Sequence, residues 1–136
     1  ARDNRHLYFY VETAEKLTPK SDRNWMMLFI DADNNPFTGW NGYDYVINRI
    51  TPGEKAIIEK NRNGWWSWEK VGDVPYAVKG NKLEIKVAKI LMEMEGKPVK
   101  FQFKWSDNMQ DEGNIMDFYL NGDTMPGGRF NYLYEE

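Results

Sequence analysis

Oxygen-bearing side chains recur at every second position after the apolar run WMMLFI. Asp31, Asp33 and Asn35 form this series, and Asp44 follows near the end of the same loop, DADNNPFTGWNGYDY. Hard cations such as Ca²⁺ bind about six to eight oxygen atoms, which carboxylates and the backbone carbonyls of a tight loop can supply. The spacing therefore predicts a calcium site at the end of a strand, with Asp31, Asp33, Asn35 and Asp44 as ligands.

The same loop has a second interpretation, in which it binds nothing. Asp and Asn at the end of a strand often cap turns with their own side chains, while Pro36 and Gly39 set the dihedral angles of the turn. An EF-hand is excluded, because that loop needs glycine at its sixth position and glutamate at its twelfth, where this sequence has Pro36 and Gly42. From the sequence, a calcium site and a simple turn both stay open.

A second acidic loop, SDNMQDEGNIMD, lies much later in the chain. It contains the carboxylates Asp107, Asp111, Glu112 and Asp117. Short acidic motifs are frequent in proteins that bind no metal, so this loop alone predicts no site. If folding brings the two loops together, its carboxylates would add ligands to the first one.

Aromatic residues are unusually frequent, with six Trp, eight Tyr and seven Phe, and Trp and Tyr have the flat apolar faces that stack on sugar rings. In NGWWSWEK an extended chain places Trp66 and Trp68 on one face and Trp65 on the other, so at least one indole should face away from the core. Trp40 lies in the first loop and becomes buried only if that loop folds back. The predicted carbohydrate-binding residues are Trp40, Trp65, Trp66, Trp68 and Tyr43, with core packing as the alternative for each.

Alternation of apolar and polar residues with period two runs through most of the chain and predicts strands with one buried face. The clearest is VKFQFKW, whose apolar face ends at Trp105 and whose polar face includes Lys104. WMMLFI is apolar throughout, which is typical of a central strand covered on both sides. The other candidate strands are HLYFYV, YDYVINRI, KAIIEK, WWSWEKV, KLEIKV, IMDFYL and RFNYLY.

The turn signals complete the predicted architecture. Asn63-Gly64 and Gly80-Asn81 favour tight hairpins between antiparallel strands. Only VAKILMEMEG looks helical, with Ile90, Leu91 and Met94 on one side. About nine strands and one short helix predict an all-β fold, an antiparallel β-sandwich of jelly-roll or immunoglobulin-like kind.

Length and charge limit the classes of function. The 136 residues suffice for one domain, and a strand begins within a few residues of an N-terminus without Met, so we expect a β-sandwich domain over 1–136 excised from a longer protein. No apolar run approaches the roughly 20 residues that cross a bilayer. With 18 Lys and Arg against 21 Asp and Glu, and no basic block, the chain lacks the charge pattern of a nucleic-acid binder. We expect neither membrane insertion nor a nucleic-acid partner.

Signatures of catalysis are missing. The single histidine, His6, lies beside an apolar strand, and the chain has no cysteine. No nucleophile elbow, P-loop or dinucleotide fingerprint occurs. Paired carboxylates can hydrolyse a glycoside when one acid with a raised pKa lies across a cleft from the other, but acids in turn loops do not indicate that arrangement. We expect a non-catalytic domain, with an independent glycosidase as the least favoured reading.

Three long segments carry a family resemblance: YFYVETAEKLTP, NWMMLFIDADNNPFTGWNGYDYVINR and FKWSDNMQDEGNIMDFYLNGDTMPGGRFNYLY. They resemble the C-terminal β-sandwich domains appended to glycoside hydrolases and related surface proteins of gut and environmental Bacteroidetes. More distantly, the Ile-Asp-Ala-Asp strand end followed by a Thr-Gly turn is similar to family 9 carbohydrate-binding modules and their DOMON-like relatives.

This resemblance implies an accessory domain outside the cytoplasm, whether secreted, periplasmic or on the cell surface. Its expected partners are a polysaccharide or oligosaccharide and a covalently linked catalytic domain, and it would hold a structural calcium ion. The alternative is a structural module that packs on the neighbouring catalytic domain and binds no sugar.

Overall fold

Two antiparallel β-sheets face each other in the computed structural model, which describes residues 1–136. The strands are β1 (His6–Glu12), β2 (Met27–Asp31), β3 (Tyr45–Ile47), β4 (Ala56–Asn61), β5 (Trp68–Val74), β6 (Tyr76–Lys79), β7 (Lys82–Ala88), β8 (Lys100–Asp107), β9 (Asp123–Met125) and β10 (Tyr132–Glu135). A 3₁₀ turn (Lys89–Met92) and one helical turn, α1 (Asp117–Leu120), are the helical segments. The predicted all-β sandwich is confirmed. Neither helical turn has the length or the apolar character that crossing a membrane requires.

The small sheet has the order β1-β7-β6, and the large sheet has the order β10-β8-β2-β3-β4-β5. β9 also pairs with β8, next to the residues that pair with β10. Tight turns join consecutive strands as predicted: Asn63 and Gly64, between β4 and β5, both have positive φ, as does Gly80 between β6 and β7. Asn and Gly adopt positive φ at low energetic cost, which explains why both hairpins could be predicted from the sequence.

β2 lies at the centre of the large sheet and is buried at every residue, as its uninterrupted apolar run predicts. Leu28 and Ile30 face the core between the sheets, a cluster of 20 buried residues. Met27 and Phe29 face the opposite side, in a second cluster of 7 buried residues that we call the outer cluster. Its members are Met27, Phe29, Trp40, Tyr43, Val46, Met109 and Phe118. Loops therefore cover the outer face of the large sheet with a further apolar layer.

That layer explains why Lys104 is not on a solvated face. The alternation of β8 is as predicted, but Lys104 is fully buried on the outer face of the sheet. Its Nζ donates hydrogen bonds of 2.7 Å to the carbonyl oxygens of Pro126 and Gly128. Burial lowers the pKa of Lys104 to about 8. The prediction that this side chain faces solvent is wrong, because the period of a strand does not reveal what covers each face.

The segment IMDFYL is not a strand. The side chain of Asn114 accepts a hydrogen bond from the backbone N–H of Met116 and starts the turn that leads into α1. α1 places Phe118 in the outer cluster and leaves Leu120 exposed. A short apolar run of this length fits either a strand or a helical turn, and here the local side-chain cap and the available apolar surface select the helical turn.

The segment VAKILMEMEG forms less helix than predicted. Strand pairing with β1 continues to Ala88, which pairs with His6, so only the 3₁₀ turn remains. Of the predicted apolar side, Met94 is buried in the core and Leu91 packs against it, whereas Ile90 is 64% exposed, so the prediction is wrong for Ile90 only. A helix of this length is not stable by itself, so the hydrogen bonds between β7 and β1 are formed in its place.

Candidate functional site: a carboxylate cluster and the cleft beside it

Three of the predicted metal ligands meet at one point. Asp31 is the last residue of β2, and Asp44 immediately precedes β3, which pairs with β2 in antiparallel register. The backbone N–H of Asp44 donates to the carbonyl oxygen of Ile30, which places the two acids side by side. Carboxylate oxygens of Asp31, Asp33 and Asp44 lie within 4.8 Å of one another, so this group could hold a metal ion.

Burial raises the pKa of two of these acids. The pKa of Asp31 is raised to about 6 mainly by burial, against the backbone hydrogen bond from Asn35, which lowers it. The pKa of Asp44 is likewise raised to about 6 mainly by burial, against the hydrogen bond that Ala32 donates to its side chain. The charge of Asp33 adds to both shifts. Three acids this close would favour a cation between them, because a positive charge stabilises their ionised forms.

Asn35 organises the loop and caps the turn. Its backbone N–H donates to the carboxylates of Asp31 and Asp33, both at 3.1 Å. Its side-chain oxygen accepts a hydrogen bond from the backbone N–H of Phe37, so this predicted ligand atom is already engaged. Thr38 donates its hydroxyl to Asp33 at 2.8 Å. Asn35 therefore acts as a turn residue, as the interpretation without a metal predicts. The group that could hold a metal ion consists of the three aspartates alone.

The cluster is open to solvent on the side of Asp33 and Asp44. Both line a cleft of about 290 Å³, whose wall includes Tyr45 and Lys60. Lys60 is paired with Glu93, which also lines this cleft, at 3.0 Å. An ion can therefore reach the carboxylates without rearrangement of the strands.

The first loop folds back on the sheet. Trp40 and Tyr43 exchange two backbone hydrogen bonds of 2.9 Å, and a Cβ atom at Gly39, where φ is +66°, would collide with the carbonyl oxygen of Tyr43. Trp40 is consequently 3% exposed and Tyr43 4% exposed, both in the outer cluster. Neither ring has a widely exposed face in this structure, so stacking of a sugar on Trp40 or Tyr43 stays a prediction that their burial does not favour.

The three remaining indoles are divided as the extended-chain pattern predicts. Trp66 and Trp68 pack edge to face at 5.5 Å between ring centroids, against the outer cluster. Trp65 points away and is 76% exposed. Trp65 and Trp66 precede β5, which begins only at Trp68. Of the five predicted aromatic residues, Trp65 alone has a widely exposed ring.

The acids of the second loop do not join the cluster. Asp117 is buried and accepts hydrogen bonds from the backbone of Gln110 and the side chain of Asn121. Asp107 accepts from the backbone N–H of Met26. The two loops do meet in the outer cluster, which contains Met109 of the second loop together with Trp40 and Tyr43 of the first. Phe118, directly after the second loop, packs on Tyr43 at 6.2 Å between ring centroids. Asp107 and Asp117 are thus already engaged by backbone or amide donors, and the contact between the two loops is apolar.

Beside the cluster lies a second cleft, which we call the polar cleft. It has a volume of about 440 Å³ and is bordered by both loops and by the segment before β10. Its accessible apolar side chains are Ile115 and Tyr119, since Tyr43 and Phe118 also line it but are each only 4% exposed. Its polar side chains are Asp31, Asn41, Gln102, Arg129 and Asn131. A concave surface of this size, with an apolar part and a few polar groups, is typical of ligand sites.

A chain of hydrogen bonds orients the amides of the polar cleft. The hydroxyl of Tyr43 donates to Asn131 at 2.6 Å, Asn131 donates to Gln102 at 3.3 Å, and Gln102 donates to Asn34 at 3.2 Å. Burial raises the pKa of Tyr43, so its hydroxyl stays a donor. Sequence reasoning missed Gln102, Arg129 and Asn131, because they lie far from the acidic loop in the chain and belong to no motif.

No family model, curated protein or solved structure matches this chain. The chemistry of the site itself is therefore the basis for assigning a function. The site combines a carboxylate cluster suited to a cation with a neighbouring cleft suited to a small polar ligand.

Proposed function

We propose that this chain is a non-catalytic carbohydrate-binding domain, the accessory module of a glycoside hydrolase located outside the cytoplasm. The polar cleft carries this proposal. Sugars present hydroxyl groups at their edges and apolar C–H groups on their faces, and the cleft combines fixed amides and a guanidinium with aromatic surface. An accessory module of this kind raises the local concentration of a linked enzyme at its polysaccharide.

The geometry of the acids favours binding over hydrolysis. A glycosidase places its two carboxyl groups about 5–9.5 Å apart on opposite sides of the scissile bond. Here the acids with raised pKa lie in one hairpin, with their oxygens within 4.8 Å, and leave no room for a sugar between them. The arrangement supports a cation site more than an acid and base pair.

Calcium is the ion that we assign to Asp31, Asp33 and Asp44. The ligand atoms are all carboxylate oxygens, which hard cations prefer, and the cluster contains no nitrogen or sulphur donor. Backbone carbonyls and water would complete the coordination. The ion would be structural, because it would join the end of β2 to the start of β3 and neutralise acids that repel each other.

Affinity electrophoresis against plant, host and microbial polysaccharides, with and without calcium, tests the proposal. We expect one class of glycan to retard the domain, because the polar cleft should select a particular arrangement of hydroxyl groups. A non-binding protein of similar size and charge, run in the same gels, controls for sieving. The absence of retardation by every glycan, in both conditions, would contradict carbohydrate binding.

A second candidate is a structural module that packs on the linked catalytic domain. Exposed apolar side chains favour it, with Phe37 at 93% and Trp65 at 76% exposure. It predicts that hydrogen exchange at the turn carrying Trp65 slows when the catalytic domain is attached. Unchanged exchange in the linked protein would contradict this function and leave the binding module as the better account.

A further inference from the structure

We infer that the polar cleft, and not the exposed indole of Trp65, is the sugar subsite, and that it binds uncharged pyranose. This inference rests on the proposed carbohydrate-binding function and names the residues and the ligand class. Its first support is Arg129, an exposed residue of the cleft that makes no ion pair and no hydrogen bond. Its guanidinium is a planar fork of donors that suits two neighbouring hydroxyl oxygens.

The second support is the fixed pair of amides. In the chain from Tyr43 through Asn131 to Gln102, each amide uses one N–H to donate to the next residue. Each amide nitrogen carries two N–H groups, so one donor on Asn131 and one on Gln102 stay free. Both side chains are held before any ligand arrives, so binding costs little side-chain entropy.

The third support is the exposed ring of Tyr119. Tyr119 is 49% exposed and lines the polar cleft. A Cβ atom at Gly128 would lie 3.6 Å from the ring, so this glycine passes directly beside it. Lys104 holds the same turn through the carbonyl oxygens of Pro126 and Gly128. The buried lysine thereby positions the segment that carries Arg129 and the surface on which a sugar face can pack.

Charge decides the ligand class. A calcium ion would offset most of the charge of Asp31, Asp33 and Asp44, but Asp31 itself lies in the wall of the polar cleft, where its carboxylate suits a hydroxyl donor and disfavours a sugar carboxylate at the same position. Arg129 in turn disfavours an amino sugar with a free ammonium group. Hydroxyl groups accept from Arg129 and the amides and can donate to the acid, so an uncharged pyranose satisfies all of these groups.

Trp65 lies apart from this arrangement. It belongs to the turn between β4 and β5, and it is not among the residues that line the polar cleft. An exposed aromatic residue without converging polar groups offers stacking alone. The polar cleft offers both stacking and directed hydrogen bonds, which is what discriminates one sugar from another.

The test uses the glycan that retards the domain in affinity electrophoresis. The dissociation constant of its complex with the whole chain is measured for wild type and four variants. R129A removes the guanidinium. N131D keeps an acceptor for Tyr43 but removes both amide N–H groups, the free one and the one that donates to Gln102. W65A tests the rival surface. R5A removes an exposed arginine outside the polar cleft that also makes no ion pair, and so is the matched control for charge.

We expect R129A and N131D to raise the dissociation constant about tenfold or more, as lost hydrogen bonds to charged or fixed groups do. W65A and R5A should stay within about twofold of wild type on the same scale. Loss of binding in W65A with normal binding in R129A and N131D would overturn the inference while the proposed function stands. Binding of polyuronates in preference to neutral glycans would overturn the ligand class. A wild-type chain that binds no glycan would overturn both.

Discussion

Replacing Trp40 with alanine should lower the free energy of unfolding by about 3–5 kcal/mol, the usual cost of truncating a buried aromatic side chain. Trp40 is 3% exposed and packs against Trp66 at 4.6 Å and Phe29 at 5.6 Å between ring centroids. Its removal would leave a cavity between the first loop and the outer face of the large sheet. Urea unfolding, followed by circular dichroism, measures the loss.

W65A is the matched control for W40A. It also removes one indole, but from a side chain that is 76% exposed, so we expect a change within about 0.5 kcal/mol. Comparing the two variants shows how much of the loss in unfolding free energy comes from the burial of Trp40, since both variants lose one tryptophan. Equal stability of W40A and wild type would show that the outer cluster is not packed as described.

Replacing Asp44 with asparagine should have opposite effects without and with calcium. In EDTA at neutral pH we expect D44N to be more stable than wild type by about 1 kcal/mol. Burial raises the pKa of Asp44 to about 6, so its ionised form is destabilised in the folded protein, and the group is partly exposed, which reduces the gain. The amide oxygen introduced by D44N can still accept the hydrogen bond that Ala32 donates to the carboxylate. In millimolar calcium the order should reverse, because wild type keeps three carboxylates and the variant two.

The pH dependence gives a second readout of the same variant. The pKa values of Asp31 and Asp44 are raised to about 6, so between about pH 4 and pH 6 the folded state binds more protons than the unfolded state. The free energy of unfolding of the ion-free protein should therefore fall as pH rises through this window, and D44N should show a shallower slope. Stabilisation by calcium should grow over the same window, since the ion requires ionised carboxylates.

Thermal melts across this pH range, in EDTA and in calcium, measure both effects. D22N is the control, since Asp22 is an exposed acid without an ion pair. Identical melting temperatures of wild type in EDTA and in calcium at neutral pH would contradict the calcium assignment. The three aspartates would then act only as parts of the turn.

The sequence by itself determined the features that depend on neighbouring residues. Leu83, Ile85 and Val87 alternate along one strand and are all buried in the core between the sheets. The apolar run of β2 predicted a strand covered on both sides, and Asn63-Gly64 predicted a hairpin. Each follows from the two-residue period of a strand or from the backbone conformations that one residue type allows. The alternation of acids in the first loop, placed at the end of a strand, likewise indicated the carboxylate cluster.

Only the tertiary structure decided which faces are covered and which distant residues meet. Lys104 has the sequence pattern of a solvated position, and Trp40 that of a loop residue, yet both are buried because other segments fold over the large sheet. The polar cleft joins Asp31 to Gln102, Arg129 and Asn131, which no local pattern connects. Burial and site geometry depend on contacts between segments far apart in the chain, whereas periodicity and turn preference act only within a few residues.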